Sequence, residues 1–175
     1  MTQAALLAGI GTNATSGGTV ALTSGTAQAS TSGTSIDFTS IPSWVKRITV
    51  MFSGVSTNGT SNILIRFGAG SFDTTGYAST NGAILGTNAT VISTDTSGHL
   101  VTPSVTAATN HSGTAILPNI SGNNWLVNQT SRRNDGIVNI VATTKSLSGT
   151  LDRVRITTVN GTDTFDAGSI NIIYE

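Results

Sequence analysis

Strict alternation of apolar and polar side chains is the feature that most constrains how this chain can fold. The alternation is clearest in three segments, residues 45–52, 151–159 and 169–174. In the first segment Ile48, Val50 and Phe52 share one face of an extended strand. Arg47 and Thr49 fall on the opposite face. Strands with one apolar face and one wet face are typical of antiparallel sheets that cover a core on one side.

Small polar residues dominate the composition. Gly, Ser, Thr and Asn make up about half of the 175 residues and charged residues only 9%, against roughly 25% in an average soluble protein. Few residues favour helices, and recurring blocks of β-branched residues argue against disorder. We therefore predict an all-β fold, an antiparallel β-sandwich of jelly-roll type with about eight strands. This domain is expected to occupy residues 34–175.

Two connecting regions carry more specific predictions. Asn58-Gly59 separates residues 45–52 from the apolar residues 63–67, and Asn-Gly is typical of a tight hairpin turn. The Gly- and Ser-rich region 68–109 is predicted to hold variable loops. About eight short strands and a set of polar loops would then account for the domain.

Residues 1–33 are predicted to form an extended Gly/Ser/Thr-rich attachment arm. Such a segment buries little surface alone, so it is either flexible or lies extended along a neighbour. Leu6, Leu7 and Ile10 are its candidate anchor to a larger particle. No basic residue precedes this short apolar run, so no signal peptide is predicted, and no segment has the length of a membrane span.

Charge and cysteine content exclude several classes of partner. The chain has eight Lys and Arg residues against eight Asp and Glu residues. It therefore lacks the basic field that a phosphate backbone requires, and no nucleic acid is expected as a partner. The absence of cysteine excludes disulfides and thiolate metal sites. The fold must depend on core packing or on assembly.

Candidate catalytic groups are few. His99 and His111 have Gly and Ser neighbours and are interpreted as ordinary loop histidines. Asp152, Asp163 and Asp166 cluster near the C-terminus, but their spacing fits no calcium loop, and aspartate commonly closes turns. We therefore expect no catalytic residue, no cofactor and no metal, and we do not expect an enzyme.

Aromatic and arginine side chains indicate a candidate contact surface instead. Trp125, Arg132 and Arg133 are the candidate surface-contact residues, because tryptophan and arginine are enriched at protein interfaces. A solvated hairpin loop is the alternative interpretation of the arginine pair. Trp44 is expected to pack in the core or at its rim rather than to serve as a platform for sugars.

Two long strings carry a family resemblance. They are TSIDFTSIPSWVKRITVMF at residues 34–52 and KSLSGTLDRVRITTVNGTDTFDAGSIN at residues 145–171. In both strings, the chain resembles a β-rich module that forms the C-terminal end of many tail-fibre-like and virion surface proteins of tailed bacteriophages. The likeness covers both ends of the predicted domain, while residues 68–142 match only loosely.

The resemblance implies a structural component of the virion that forms a homotrimer, has no catalytic residues and is made in the host cytoplasm. Its partners would be other capsid or tail proteins and, at the host surface, a glycan or a protein. Fibre chains of this kind carry a longer attachment and shaft portion than 33 residues. A capsid decoration protein, a head fibre or a small tail fibre or tip protein is therefore the expectation.

Two other functions compete with this one. A carbohydrate-binding or adhesin module is suggested by Trp44, Trp125 and the Asn-rich loops. A glycan-cleaving enzyme would need a carboxylate pair drawn from Asp95, Asp163 or Asp166, and nothing in the sequence singles out such a pair.

Overall fold

A computed structural model of the protein describes residues 22–86, 89–103 and 105–175. These residues contain strands and no helix. The fourteen strands are β1 (Thr23–Ser24), β2 (Gln28–Ala29), β3 (Ser35–Thr39), β4 (Arg47–Thr57), β5 (Ile63–Ala69), β6 (Ser71–Phe72), β7 (Tyr77–Ile84), β8 (Thr90–Asp95), β9 (His99–Leu100), β10 (His111–Ser121), β11 (Asn124–Arg133), β12 (Val138–Ser146), β13 (Arg153–Thr158) and β14 (Phe165–Tyr174). The candidate anchor, Leu6, Leu7 and Ile10, lies outside the described residues.

The strands form two antiparallel sheets. The large sheet has nine strands in the order β1-β14-β4-β10-β11-β12-β7-β8, and β2 also pairs with β14. The small sheet has five strands in the order β3-β13-β5-β6, and β9 also pairs with β5. Every strand pair is antiparallel, which confirms the all-β, antiparallel class.

Inward-facing residues of both sheets share one hydrophobic core. The large sheet contributes Ile48, Val50 and Phe52 of β4 together with Leu117 and Val127. The small sheet contributes inward-facing residues of three strands, Ile36, Phe38, Ile63, Ile65, Phe67, Val154 and Ile156. Alternate burial along β4 and β13 follows the alternation in the sequence. The two layers bury each other's apolar faces, and the fold is sandwich-like.

The expectation of about eight strands in a jelly roll is not confirmed. Region 68–109, interpreted as loops, contains β7, β8 and β9 as well as the short β6. Successive strands β10, β11 and β12 lie side by side in the large sheet as a meander, whereas jelly rolls are built from Greek keys. The predicted Asn58-Gly59 hairpin is wrong, because β4 lies in the large sheet and β5 in the small one.

Residues 22–33, the described part of the predicted arm, lie along the edge of the large sheet. Thr23 pairs with Tyr174 through β1, and Ala29 pairs with Ser169 through β2. Ser30 is fully buried, and its hydroxyl donates a hydrogen bond of 2.8 Å to the Ala167 carbonyl oxygen. Of the two sequence alternatives for the arm, this part therefore takes the extended one.

Across the described ranges, no helix has the length and apolar content that crossing a membrane would require.

Candidate functional site

The outer face of the large sheet presents two uninterrupted rows of uncharged residues. Each row crosses seven strands, from β14 to β8, through directly paired residues. The first row is Ile173, Thr49, Ile116, Asn128, Ala142, Thr80 and Thr94. The second row is Asn171, Met51, Thr114, Thr130, Ile140, Gly82 and Ile92. These fourteen residues are called the uncharged face below.

Large apolar side chains stand exposed on this face. Ile92 is 64% exposed and Ile140 54% exposed, and the two flank Gly82 in the same row. Ile84 and Val138 extend the apolar area into the next row, where they pair with each other. Single exposed apolar residues are ordinary, but a contiguous apolar patch is typical of an interaction site.

The outer face of the small sheet has the opposite character. Arg155 pairs with Asp37 at 2.6 Å, and its guanidinium lies 4.2 Å from the Phe72 ring centroid. Arg153 pairs with Asp152 at 2.7 Å, and this hydrogen-bonded contact lowers the pKa of Asp152. Because charged groups are costly to strip of water, this face suits solvent better than a buried contact.

The β8 edge of the large sheet also carries little charge. In the described residues β8 pairs only with β7, so its other side has no strand partner. Val91 and Ile92 are exposed there. The only charged residue of β8 is Asp95, whose carboxylate accepts hydrogen bonds from the Ser97 amide at 2.6 Å and the Ser97 hydroxyl at 2.7 Å. Natural sheets commonly protect such edges with charge or with a covering partner.

A buried polar layer lies between the sheets beside the hydrophobic core. His99 is fully buried, with Nδ1 2.7 Å from the Thr143 hydroxyl and Nε2 2.9 Å from the Gln129 side-chain oxygen. Gln129 donates in turn to the Val101 carbonyl oxygen at 2.7 Å. The Thr143 hydroxyl also lies 2.8 Å from the Ser79 hydroxyl. These bonds join strands β7, β9, β11 and β12 across the interior.

Both histidines are held neutral by burial. Desolvation lowers the pKa of His99 to about 4, against the opposing effect of its hydrogen bond to Gln129. Desolvation also lowers the pKa of His111 to about 4, and the nearby Arg133 cation acts in the same direction. The fully buried, neutral imidazole of His99 is hydrogen-bonded to Thr143 and Gln129 and so joins β9 of the small sheet to β11 and β12 of the large sheet.

The interpretation of His99 and His111 as loop histidines is therefore wrong. His99 lies in β9 and His111 in β10, and both are buried. The glycines near them, Gly98 and Gly113, allow neighbouring strands to approach closely. A Cβ on Gly98 would lie 3.1 Å from Leu64 Cβ, and one on Gly113 would lie 2.4 Å from the Thr130 carbonyl oxygen.

The three candidate surface-contact residues take different places. Trp125 is 4% exposed and belongs to the hydrophobic core, and its Nε1 has no partner among the described residues. Arg133 is also buried, with Nη1 donating to the Pro103 carbonyl oxygen at 3.0 Å and Nη2 2.6 Å from Asp135. Arg132 is exposed and pairs with Val138 across the strands. Of the three, only Arg132 is available to a partner of this chain.

Of the C-terminal aspartates, Asp163 closes a loop, as the sequence suggested, whereas Asp166 lies in strand β14. Asp163 accepts hydrogen bonds from the Ser61 amide at 2.9 Å and from Asn160 Nδ2 at 2.6 Å, which lower its pKa. Asp166 accepts a short hydrogen bond from the Ser56 hydroxyl. In the part of the chain that the structure describes, no group of three or more His, Cys, Asp or Glu side chains could hold a metal ion.

Comparisons with known proteins found no match to this chain. No protein-family model matches the chain, no curated protein is significantly similar to it, and no solved structure shares its fold at a significant level.

Proposed function

We propose that this chain is a structural subunit of a tailed-bacteriophage virion that associates with copies of itself, as a homotrimer, through the uncharged face. It would be an accessory surface subunit: a capsid decoration protein, a head fibre or a small tail fibre or tip protein. The virion location is supported by the resemblance of residues 34–52 and 145–171 to phage surface modules. The observation that carries self-association is the pair of uncharged rows across seven strands. The proposal includes no catalytic activity.

The two rows of the uncharged face would form the centre of a contact between copies. Seven strands about 4.8 Å apart span about 29 Å, and two rows of side chains on one face occupy about 13 Å along each strand. The uncharged face therefore covers about 400 Å², half of the roughly 800 Å² per partner in a standard stable interface. A contact of standard size would also include the flanking pair Ile84 and Val138, with Arg132 at its margin.

The chemistry of the face also favours a second copy. In a homotrimer the two rows of each copy would face the three-fold axis and meet both neighbours without desolvating a charge, because neither row contains one. Threonine hydroxyls can exchange hydrogen bonds across the contact while Ile92, Ile116 and Ile140 bury apolar area. The charged outer face of the small sheet would then remain in solvent.

A charge placed in the uncharged face should dissociate the assembly. We expect the unmodified protein to sediment at about three times 17.8 kDa and Ile140→Asp to sediment as a monomer, because the new carboxylate would have to be desolvated. Val159→Asp is the matched control, since Val159 is 44% exposed but lies outside the face. Sedimentation equilibrium across a concentration series measures the difference. A monomeric unmodified protein, or a trimeric Ile140→Asp, would contradict the proposal.

The anchor is tested separately on particles. Replacing Leu6, Leu7 and Ile10 together with serine should remove the protein from purified virions while leaving its melting temperature within about 2 °C of the unmodified value. These substitutions are preferable to deleting residues 1–33, because Ser30 and strands β1 and β2 are bonded to β14. Quantitative mass spectrometry of particles gives the copy number. Undiminished copies on the particle would show that the three residues are not the anchor.

A further inference from the structure

A groove opens at the edge of the molecule opposite β8, where β3 ends the small sheet and the N-terminal segment ends the large sheet. It has a volume of ≈ 380 Å³ and lies between the N-terminal segment, β3 and the end of β14. Its polar lining includes Gln28, Asp37, Thr39 and Ser40, and Tyr174 contributes an aromatic ring. This volume is near the lower end of the range for small-molecule sites.

An aromatic pair, the exposed Trp44 and the partly buried Tyr174, adjoins the groove. Trp44 is 50% exposed and lies with its ring centroid 6.0 Å from that of Tyr174, at an interplanar angle of 51°. The Val45 amide donates to the Pro42 carbonyl oxygen at 3.1 Å, which closes a turn around Trp44. The indole is therefore held at the surface beside the groove, although burying it would bring a large hydrophobic gain.

The backbone at the groove is strained. Ser40 has a φ of 61°, and it is the only non-glycine residue with positive φ in the described ranges. Hydrogen bonding of the Ile41 amide to the Asp152 carbonyl oxygen at 2.9 Å holds the segment in place. Strain of this kind in non-glycine residues occurs preferentially at ligand sites.

The polar groups of the groove are positioned and electrically balanced. Asp37 accepts two hydrogen bonds from Arg155, at 2.7 and 2.6 Å, and a carboxylate can accept two more. Gln28 donates through Nε2 to the Asp37 carbonyl oxygen at 2.7 Å, which fixes its amide. Because the Asp37 charge is matched by Arg155, the groove favours neither an anion nor a cation.

We propose that this groove binds a neutral pyranose saccharide of one or two rings. A pyranose ring has an apolar C–H face and an edge of hydroxyl groups. The C–H face would lie on Trp44 and Tyr174, and the hydroxyls would donate to Asp37 and to the side-chain oxygen of Gln28. The groove is separate from the uncharged face, which lies on the outer side of the large sheet. None of the groove residues belongs to that face.

The two tryptophans provide a direct assay. Trp44 is half exposed and Trp125 is buried, so acrylamide should quench Trp44 selectively. Maltose, cellobiose, lactose and chitobiose are titrated into the full chain. At least one of them should protect Trp44 from quenching, with half-saturation between about 10 μM and 1 mM. The proposal is overturned if none protects Trp44 at concentrations well above this range.

Substitutions locate the binding. Gln28→Ala should weaken the protecting disaccharide about tenfold, and Trp44→Ala, measured by titration calorimetry, should weaken it at least as much. Val159→Ala is the control, because Val159 is exposed but follows β13 at the end remote from Ser40. Equal weakening by the control, or unchanged binding in both groove variants, would place the sugar elsewhere. Sedimentation of the same samples tests assembly separately, so either proposal can fail without the other.

Discussion

At pH 5 the protein should be about 4 kcal/mol less stable than at pH 7.5, because His99 and His111 are buried in the neutral form. Folding lowers the pKa of each from 6.5 to about 4. As the pH falls below 6.5, the two imidazoles bind protons in the unfolded chain but not in the folded chain. The free energy of unfolding therefore decreases until the pH reaches about 4. A loss of this size is a large part of the 5–15 kcal/mol by which domains are typically stable.

The charged surroundings of the two histidines differ. His111 is affected by Arg133, which lowers its pKa further, and by Asp135, which raises it. His99 has only the opposing hydrogen bond to Gln129. Asp152 and Asp163 have pKa values below the ordinary 3.8, so they stabilise the fold above that pH and lose their contribution only below it. Measurements above pH 5 therefore isolate the histidines.

Urea denaturation at pH 7.5, 6 and 5, at one protein concentration, measures the effect. Near pH 5 the free energy of unfolding should change by about 1.4 kcal/mol per pH unit for each histidine. His99→Gln and His111→Gln should each remove about half of the total slope. A free energy of unfolding that stays constant from pH 7.5 to 5 would show that the imidazoles are accessible to protons in the folded state.

Much of the fold could be predicted because alternation maps directly onto burial. In β4 as far as Phe52, and in β13 as far as Ile156, every second side chain is apolar in sequence and buried in the structure. The strand from Phe165 to Tyr174 was predicted in its second half only, since Asp166, Ala167 and Gly168 break the pattern where the β4 pairing has irregular register. Local sequence thus predicts which residues form a strand more reliably than where the strand begins.

The neighbours of each strand could not be predicted in the same way. Strands β7 and β12 are far apart in sequence and adjacent in the sheet. The uncharged face depends on this pairing, since Ile140 and Ile92 flank Gly82 only after three strands have aligned. In the sequence Ile140 alternates with the buried residues Asn139 and Val141, and Ile92 stands next to Val91, so both isoleucines resemble ordinary strand positions.

The buried polar layer was missed for a related reason. Gln129 and Ser131 follow Trp125 and Val127 on the inward face of β11, and Thr143 follows Asn139 and Val141 on the inward face of β12. Polar residues at these positions indicate solvent exposure unless a covering segment is known. The segment around His99 supplies that cover, and its short strand β9 has too few residues for a recognisable period.

Replacing Gly113 with alanine should destabilise the protein by about 3 kcal/mol or more, the upper range for forced overpacking. A Cβ at this position would lie 2.4 Å from the Thr130 carbonyl oxygen and 2.5 Å from Ser131 Cα. Both are backbone atoms of β11, so no side-chain rotation relieves the clash. The strands β10 and β11 would have to separate where they are hydrogen-bonded.

Gly82→Ala in β7 is the matched control, because it also changes a mid-strand glycine of the large sheet. Its Cβ would meet nothing closer than Ile92 Cδ1 at 3.6 Å, an ordinary contact. This substitution should be neutral or stabilising by up to about 1 kcal/mol, since alanine restricts the unfolded chain. Urea denaturation at pH 7.5 compares the two variants. Equal effects on the free energy of unfolding would show that β10 and β11 approach less closely than the structure indicates.

The glycine pair also separates folding from assembly. Gly113 precedes Thr114 in β10, and the β10–β4 pairing is irregular between His111 and Gly113. Distortion there would displace Thr114 and Ile116 from both rows of the uncharged face, so Gly113→Ala should lose stability and self-association together. Gly82→Ala adds one methyl group inside the face while leaving the backbone in place. A folded Gly82→Ala protein that sediments as a monomer would therefore show that close packing over Gly82, and not only the absence of charge, holds the copies together.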